Sequence, residues 1–142
     1  MTGRLAMLKN GMFVFIGGGI GAALREALMA AVAALPGGFP MPIFIANMTA
    51  SFLIGILSAL TQRSGVIGSS GKLLLTTGMM GGLSTFSSFV WGTDQMLANP
   101  VERATAIVYL VLSMIAGFLL VEAGLWLGGR LSSRTRAADA IR

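Results

Sequence analysis

The sequence predicts an all-α membrane protein of four transmembrane helices, the third of them broken near its middle. Three observations carry that prediction. Hydrophobic residues make up 55% of the 142-residue chain and charged residues only 11%, far from the roughly 25% charge of an average soluble domain. Mean hydropathy is +0.84. The apolar residues fall into four long runs, and within the third the stretch Thr76 to Val90 (TTGMMGGLSTFSSFV) is interrupted by Gly81 and Gly82 and then by a cluster of hydroxyl residues. Non-helical backbone at membrane depth is tolerated only where it is buried in protein or lines a cavity, so this stretch is the first place to look for function.

Residues 1–11 form an N-terminal segment with Arg4 and Lys9, followed by a first span over 12–35. A basic start, an apolar core and the alanines at Ala31 and Ala33 are also marks of a cleaved signal peptide. Arg25 and Glu26 interrupt that core, however, and the run is long enough to cross a bilayer of roughly 30 Å at about 1.5 Å per residue. The span is therefore expected to stay. Pro36, Gly37, Gly38, Pro40 and Pro42 make a tight uncharged turn. The second span, 43–60, is polar only at Asn47, Thr49, Ser51 and Ser58, and a Ser/Gly-rich connector runs from Arg63 to Lys72. The third span covers 73–97, with Asn99–Pro100 as its stop signal. The fourth covers 104–127 and contains Tyr109, Ser113 and Glu122, with Trp126 where an interfacial aromatic belongs. Residues 12–128 thus read as one transmembrane domain, and 129–142 as a basic tail expected to be mobile.

Cysteine and histidine are both absent, which excludes disulfide frameworks, thiolate nucleophiles and imidazole acid/base chemistry. The acids Glu26, Asp94, Glu102, Glu122 and Asp139 are scattered and form no local hydrolytic or metal pair, so an enzyme is disfavoured. The net charge of +5 does not point to nucleic acid, because the basic residues sit at segment ends, where they set membrane orientation. One side carries Arg4, Lys9, Arg63, Lys72, Arg130, Arg134, Arg136 and Arg142, and the other only Arg103. That bias predicts both termini in the cytoplasm.

Function must come from polar groups inside the spans. Arg25 lies more than halfway along the first span, where a charge is costly enough to mark function, although pairing or snorkelling explains it equally well. Gly17 with Gly21, Gly78 with Gly82 and Gly124 with Gly128 have the spacing of close helix packing. Asn47 must satisfy two donors and an acceptor and is either interhelical glue or a contact for a permeating solute. Tyr109 and Ser113, four apart, share a helix face. With Asn47 and the hydroxyls at Ser84, Thr85, Ser87 and Ser88 they make a polar stripe able to line an aqueous path. Phe86 and Phe89 read first as core residues; the alternative uses the positive ring edge, which can face an anion with no titratable group involved.

The run TGMMGGLSTFSSF from Thr77 to Phe89, GGIGAALR from Gly18 to Arg25 and the Asn47 segment ending near Gly55 resemble the CrcB/Fluc family of small fluoride channels. The resemblance implies a passive, selective fluoride channel of the bacterial cell membrane that exports fluoride down its gradient. It also implies an antiparallel dimer of four-helix subunits with two pores. Phe86 and Phe89 match the phenylalanines that face fluoride, Asn47 the pore asparagine and Arg25 the first-helix arginine. Tyr109 and Ser113 resemble the fourth-span polar track. Gly81 and Ser84 match positions whose backbone carbonyls, one pair from each subunit, hold a central structural sodium ion (Na+). Carbonyl oxygens freed at a helix break are hard ligands suited to such a cation, and the ion satisfies buried acceptors that are otherwise costly.

Ser84 and Ser88 replace threonines usual in the family but keep the hydroxyl, and Gly92 stands where many relatives carry a glutamate. The basic bias is unusual for a homodimer that inserts both ways, so the second subunit is either a copy of this chain or an oppositely oriented homologue. Two other classes stay open. A small proton-coupled exporter needs Glu26 or Glu122 to titrate, and a non-conducting scaffold predicts tolerance of substitution at the hydroxyl and phenylalanine positions.

Overall fold

The computed structural model describes residues 2–32, 38–63 and 67–139, without the side chains of Thr2, Arg63 and residues 134–139. Ala33, Pro36, Gly37, residues 64–66 and the last three residues, all named in the expectations above, lie outside the described residues. The order is α1 (Thr2–Ala31), α2 (Met41–Arg63), α3 (Ser69–Lys72), a π-helical stretch (Leu73–Met79), α4 (Met80–Leu83), α5 (Phe86–Ala98) and α6 (Arg103–Asp139). Among the described residues, four stretches are long and apolar enough to cross a membrane: Gly3–Ala31, Met41–Gln62, Ser69–Ala98 and Arg103–Ser133. With no proline before position 36, α1 starts at Thr2 and takes in the N-terminal segment. Helix α6 runs through Asp139 into the segment expected to be a mobile tail.

The third stretch changes its hydrogen bonding as it proceeds. Met80 N–H donates to the Leu75 carbonyl, five residues back, closing the wider π turns. Helical geometry stops at Ser84 (ψ 153°) and Thr85 (φ −142°, ψ 107°), not at Gly81 and Gly82, which both lie inside α4. The physical reason is that Gly82 serves helix contact. A Cβ on it would collide with the Gly18 carbonyl and lie 2.9 Å from Ala22 N. The interruption is instead set by Thr85, whose hydroxyl accepts the Ser88 N–H at 3.2 Å and so starts α5 as an N-cap.

Helix α1 packs on the π-helical stretch and α4, and α2 packs on α6. Both contacts are backbone-close because of glycine. A Cβ on Gly78 would lie 2.7 Å from the Val14 carbonyl and 2.9 Å from Gly17 Cα, and one on Gly128 would lie 2.8 Å from Ala59 Cβ. Without a hydrophobic driving force between helices in lipid, such close packing is what holds them together. Ala50, Met80 and Leu83 form one buried cluster. Met96, Ala106 and Tyr109 form a second, joined by Phe39, Phe44 and Phe89. The outward faces of α1 and α6, including Met7, Phe15, Met114 and Phe118, are exposed and apolar.

Candidate functional site

The extended pair Ser84–Thr85 is held by α2. Thr85 N–H donates to Asn47 Oδ1 at 2.8 Å, and Asn47 Nδ2 donates back to the Thr85 carbonyl at 3.3 Å. One carboxamide thus does for Thr85 what a neighbouring strand would do, satisfying two backbone groups that have left the helix. Thr85 is 5% exposed, so without this pairing both groups would be buried and unpaired. The Thr85 hydroxyl donates to Ser88 Oγ at 2.9 Å and lies 3.4 Å from Ser87 Oγ.

The same arrangement frees two carbonyls. In an unbroken helix the Gly81 carbonyl would accept from Thr85 N–H and the Ser84 carbonyl from Ser88 N–H. Those donors are committed to Asn47 Oδ1 and Thr85 Oγ1. Gly81 is exposed, and a Cβ there would meet nothing within 4 Å.

Beside the extended pair lies a cleft of about 260 Å³ lined by Asn47, Met48, Ser51, Ser84, Thr85, Phe86, Phe89, Ser113 and Met114. Among the described residues, no charged side chain lines it. Asn47 keeps a second N–H beyond the one given to Thr85. Ser113 Oγ is buried without a partner and is therefore a free donor. Phe86 and Phe89 stand on one side with ring centroids 6.3 Å apart and planes inclined at 32°. Phe86 is 79% exposed, whereas Phe89 packs against Tyr109 at 5.1 Å.

Asn47, Ser84, Thr85, Phe86, Phe89 and Ser113 therefore meet at one cleft, as neighbours from α2, the extended pair, α5 and α6. Ser87 and Ser88 do not line it; they turn back toward the Thr85 hydroxyl. Tyr109, fully buried, sits behind Phe89 with its hydroxyl unpaired and is clasped edge-on by Phe39, at 5.3 Å and 86°. Arg25 is elsewhere: Nη1 donates to the Gly82 carbonyl at 3.3 Å, and Nη2 lies 3.4 Å from Glu26 Oε1. Three lining residues, Met48, Ser51 and Met114, were not placed in the polar stripe read from the sequence. Ser51 had a signal, since it lies one helical turn after Asn47 on the same face. Phe39 and Phe44, which brace Tyr109, had none before the fold was known.

A family profile described as CrcB-like protein, Camphor Resistance (CrcB), matches residues 12–125. The chain is 48% identical over 117 residues to the Fluoride-specific ion channel FluC 3 of Yersinia pseudotuberculosis, covering 82% of this chain and 87% of that protein. It is 38% identical over 121 residues to Fluoride-specific ion channel FluC 1 of Staphylococcus aureus, covering 85% and 98%. Fluoride-specific ion channel FluC 2 of Brucella melitensis matches at 40% identity over 123 residues, which is 86% of this chain but 45% of that longer protein. With four helices able to cross a bilayer and the profile spanning nearly all of them, this chain is a multi-pass membrane protein belonging to the CrcB-like family.

Proposed function

We propose that the chain is a passive, selective fluoride channel of a bacterial cell membrane and not an enzyme. The single observation that carries this reading is the cleft: it joins hydrogen-bond donors from Asn47, Ser84 and Ser113 to the rings of Phe86 and Phe89 with no ionisable group in its wall. A small anion entering it exchanges water for an amide N–H, hydroxyls and positive ring edges. No carboxylate is available there to couple transport to protons: Glu26 pairs with Arg25, and Glu122 lines a different crevice. The relatives' names support fluoride as the ion.

In this reading the third span is one membrane-crossing helix broken at Ser84–Thr85. The subunit pairs with a second one in antiparallel orientation, which covers the exposed Phe86 and gives two pores per dimer. The second subunit is a copy of this chain or an oppositely oriented homologue, and the basic bias orients the termini of this chain to the cytoplasm. Fluoride leaves down its electrochemical gradient. The donor-free carbonyls of Gly81 and Ser84 fit a hard cation, and these two residues would hold the sodium ion. When bound, that ion would supply charge compensation for these carbonyls once the second subunit covers them. Asn47 and Thr85 fix the break, Ser113 and the free Asn47 N–H bind the anion, and Tyr109 props Phe89. Reconstitution of the purified chain into liposomes tests the reading: fluoride should leave and chloride should stay. Equal loss of both ions, or of neither, would contradict it.

A further inference from the structure

A pair of crevices lies at the far end of α6, away from the cleft. They measure about 600 and 500 Å³ and share Trp126, Arg130 and Ser133. The Arg130 guanidinium stacks 3.8 Å from the centroid of the Trp126 ring. Among the described residues the only ion pair is Arg25–Glu26, so Arg130 has no carboxylate partner. Its planar fork of N–H donors suits two oxygens of one phosphate. Gln62, at the end of α2, faces the same crevice with a further amide donor.

Position selects the source of the phosphate. Arg103 opens α6, and the helix rise places Arg130 about 40 Å from it, close to the full thickness of a bilayer with its headgroups. Trp126 stands where interfacial aromatics sit. The smaller crevice is walled by Leu127 and Leu131, which offer apolar surface to an acyl chain beside the charged end. We infer that this end of the subunit is a binding site for an anionic phospholipid, with the headgroup phosphate on Arg130. Glu122 lines the larger crevice on the same helix face, but two turns deeper, about 12 Å along the axis. It repels the phosphate from the deep end and so fixes the headgroup at Arg130.

The test is native mass spectrometry of the full chain in mild detergent with phosphatidylglycerol or phosphatidylcholine added. Wild type should retain phosphatidylglycerol in preference to phosphatidylcholine. Arg130→Ala should retain about fivefold less phosphatidylglycerol, the share of one basic residue at a membrane surface. Glu122→Gln should retain it at the wild-type level or above, and thermal unfolding of both variants should stay close to wild type, because both side chains are exposed. Three results would overturn the site: undiminished phosphatidylglycerol retention by Arg130→Ala, equal retention of phosphatidylcholine by wild type, or displacement of the lipid by inorganic phosphate, which would mean a free-anion site.

Discussion

Asn47 on α2 and Thr85 between α4 and α5 are joined by a reciprocal pair of hydrogen bonds, 2.8 Å into Oδ1 and 3.3 Å out of Nδ2. This one side chain both stabilises the extended backbone and presents a spare N–H to the cleft. On the proposed reading, structure and transport depend on it in separable ways.

Asn47→Leu should destabilise the subunit by about 2 kcal/mol, because it leaves the Thr85 N–H and carbonyl buried without partners. Asn47→Asp keeps the acceptor for the Thr85 N–H and should unfold closer to wild type. It nevertheless puts a fixed negative charge beside the cleft and should suppress anion flux. Thermal unfolding in detergent and fluoride efflux, measured on the same two proteins, read the two effects apart.

Two adjacent glycines should respond oppositely. Gly82→Ala drives a Cβ into the α1 backbone at Gly18, where neither main chain can yield, and should cost about 1–3 kcal/mol. Gly81→Ala meets nothing within 4 Å in the subunit and should leave its unfolding nearly unchanged. If Gly81 faces a second subunit across a cation site, the same change lowers the dimer fraction, which size-exclusion chromatography with light scattering measures.

Tyr109 connects the cleft to the start of α2 through an aromatic chain: Phe89 at 5.1 Å, then Phe39 at 5.3 Å. Phe39→Leu removes the edge-on support of Tyr109, an interaction of about 1 kcal/mol, while leaving the cleft wall itself intact. Fluoride efflux should fall severalfold with the chain still folded. Tyr109→Phe keeps the ring packing and removes only the unpaired hydroxyl, so it should be as stable as wild type or more so.

The four-span architecture was legible in the sequence because apolar runs of bilayer length have few alternative uses, and the same holds for the glycine pairs at Gly17, Gly78 and Gly128, whose spacing alone signals close approach. The position of the interruption was less legible. Gly81 and Gly82 looked like helix breakers, yet a glycine inside a helix costs only about 1 kcal/mol, less than close packing on α1 returns. A hydrogen bond donated by the Thr85 N–H to Asn47 on α2, 38 residues away in sequence, sets Thr85 in extended form. The polar stripe was readable as a set of residue types, but its membership depended on rotation about each helix axis. Ser113 turned into the cleft, Ser87 and Ser88 turned to Thr85, and Tyr109 went behind Phe89. The Arg25 guanidinium reaches the Gly82 carbonyl and its neighbour Glu26, away from the residues that line the cleft.

Fluoride efflux from liposomes carrying Phe89→Ile, set against wild type at equal protein and with dimer assembly checked beforehand, tests most directly whether the anion passes along the phenylalanine wall of the cleft. Replacing the ring removes its positive edge while keeping apolar bulk, and efflux should fall by about tenfold or more, equivalent to the upper range of a ring interaction of about 1.5 kcal/mol. Efflux equal to wild type would place the path of the ion somewhere other than this cleft.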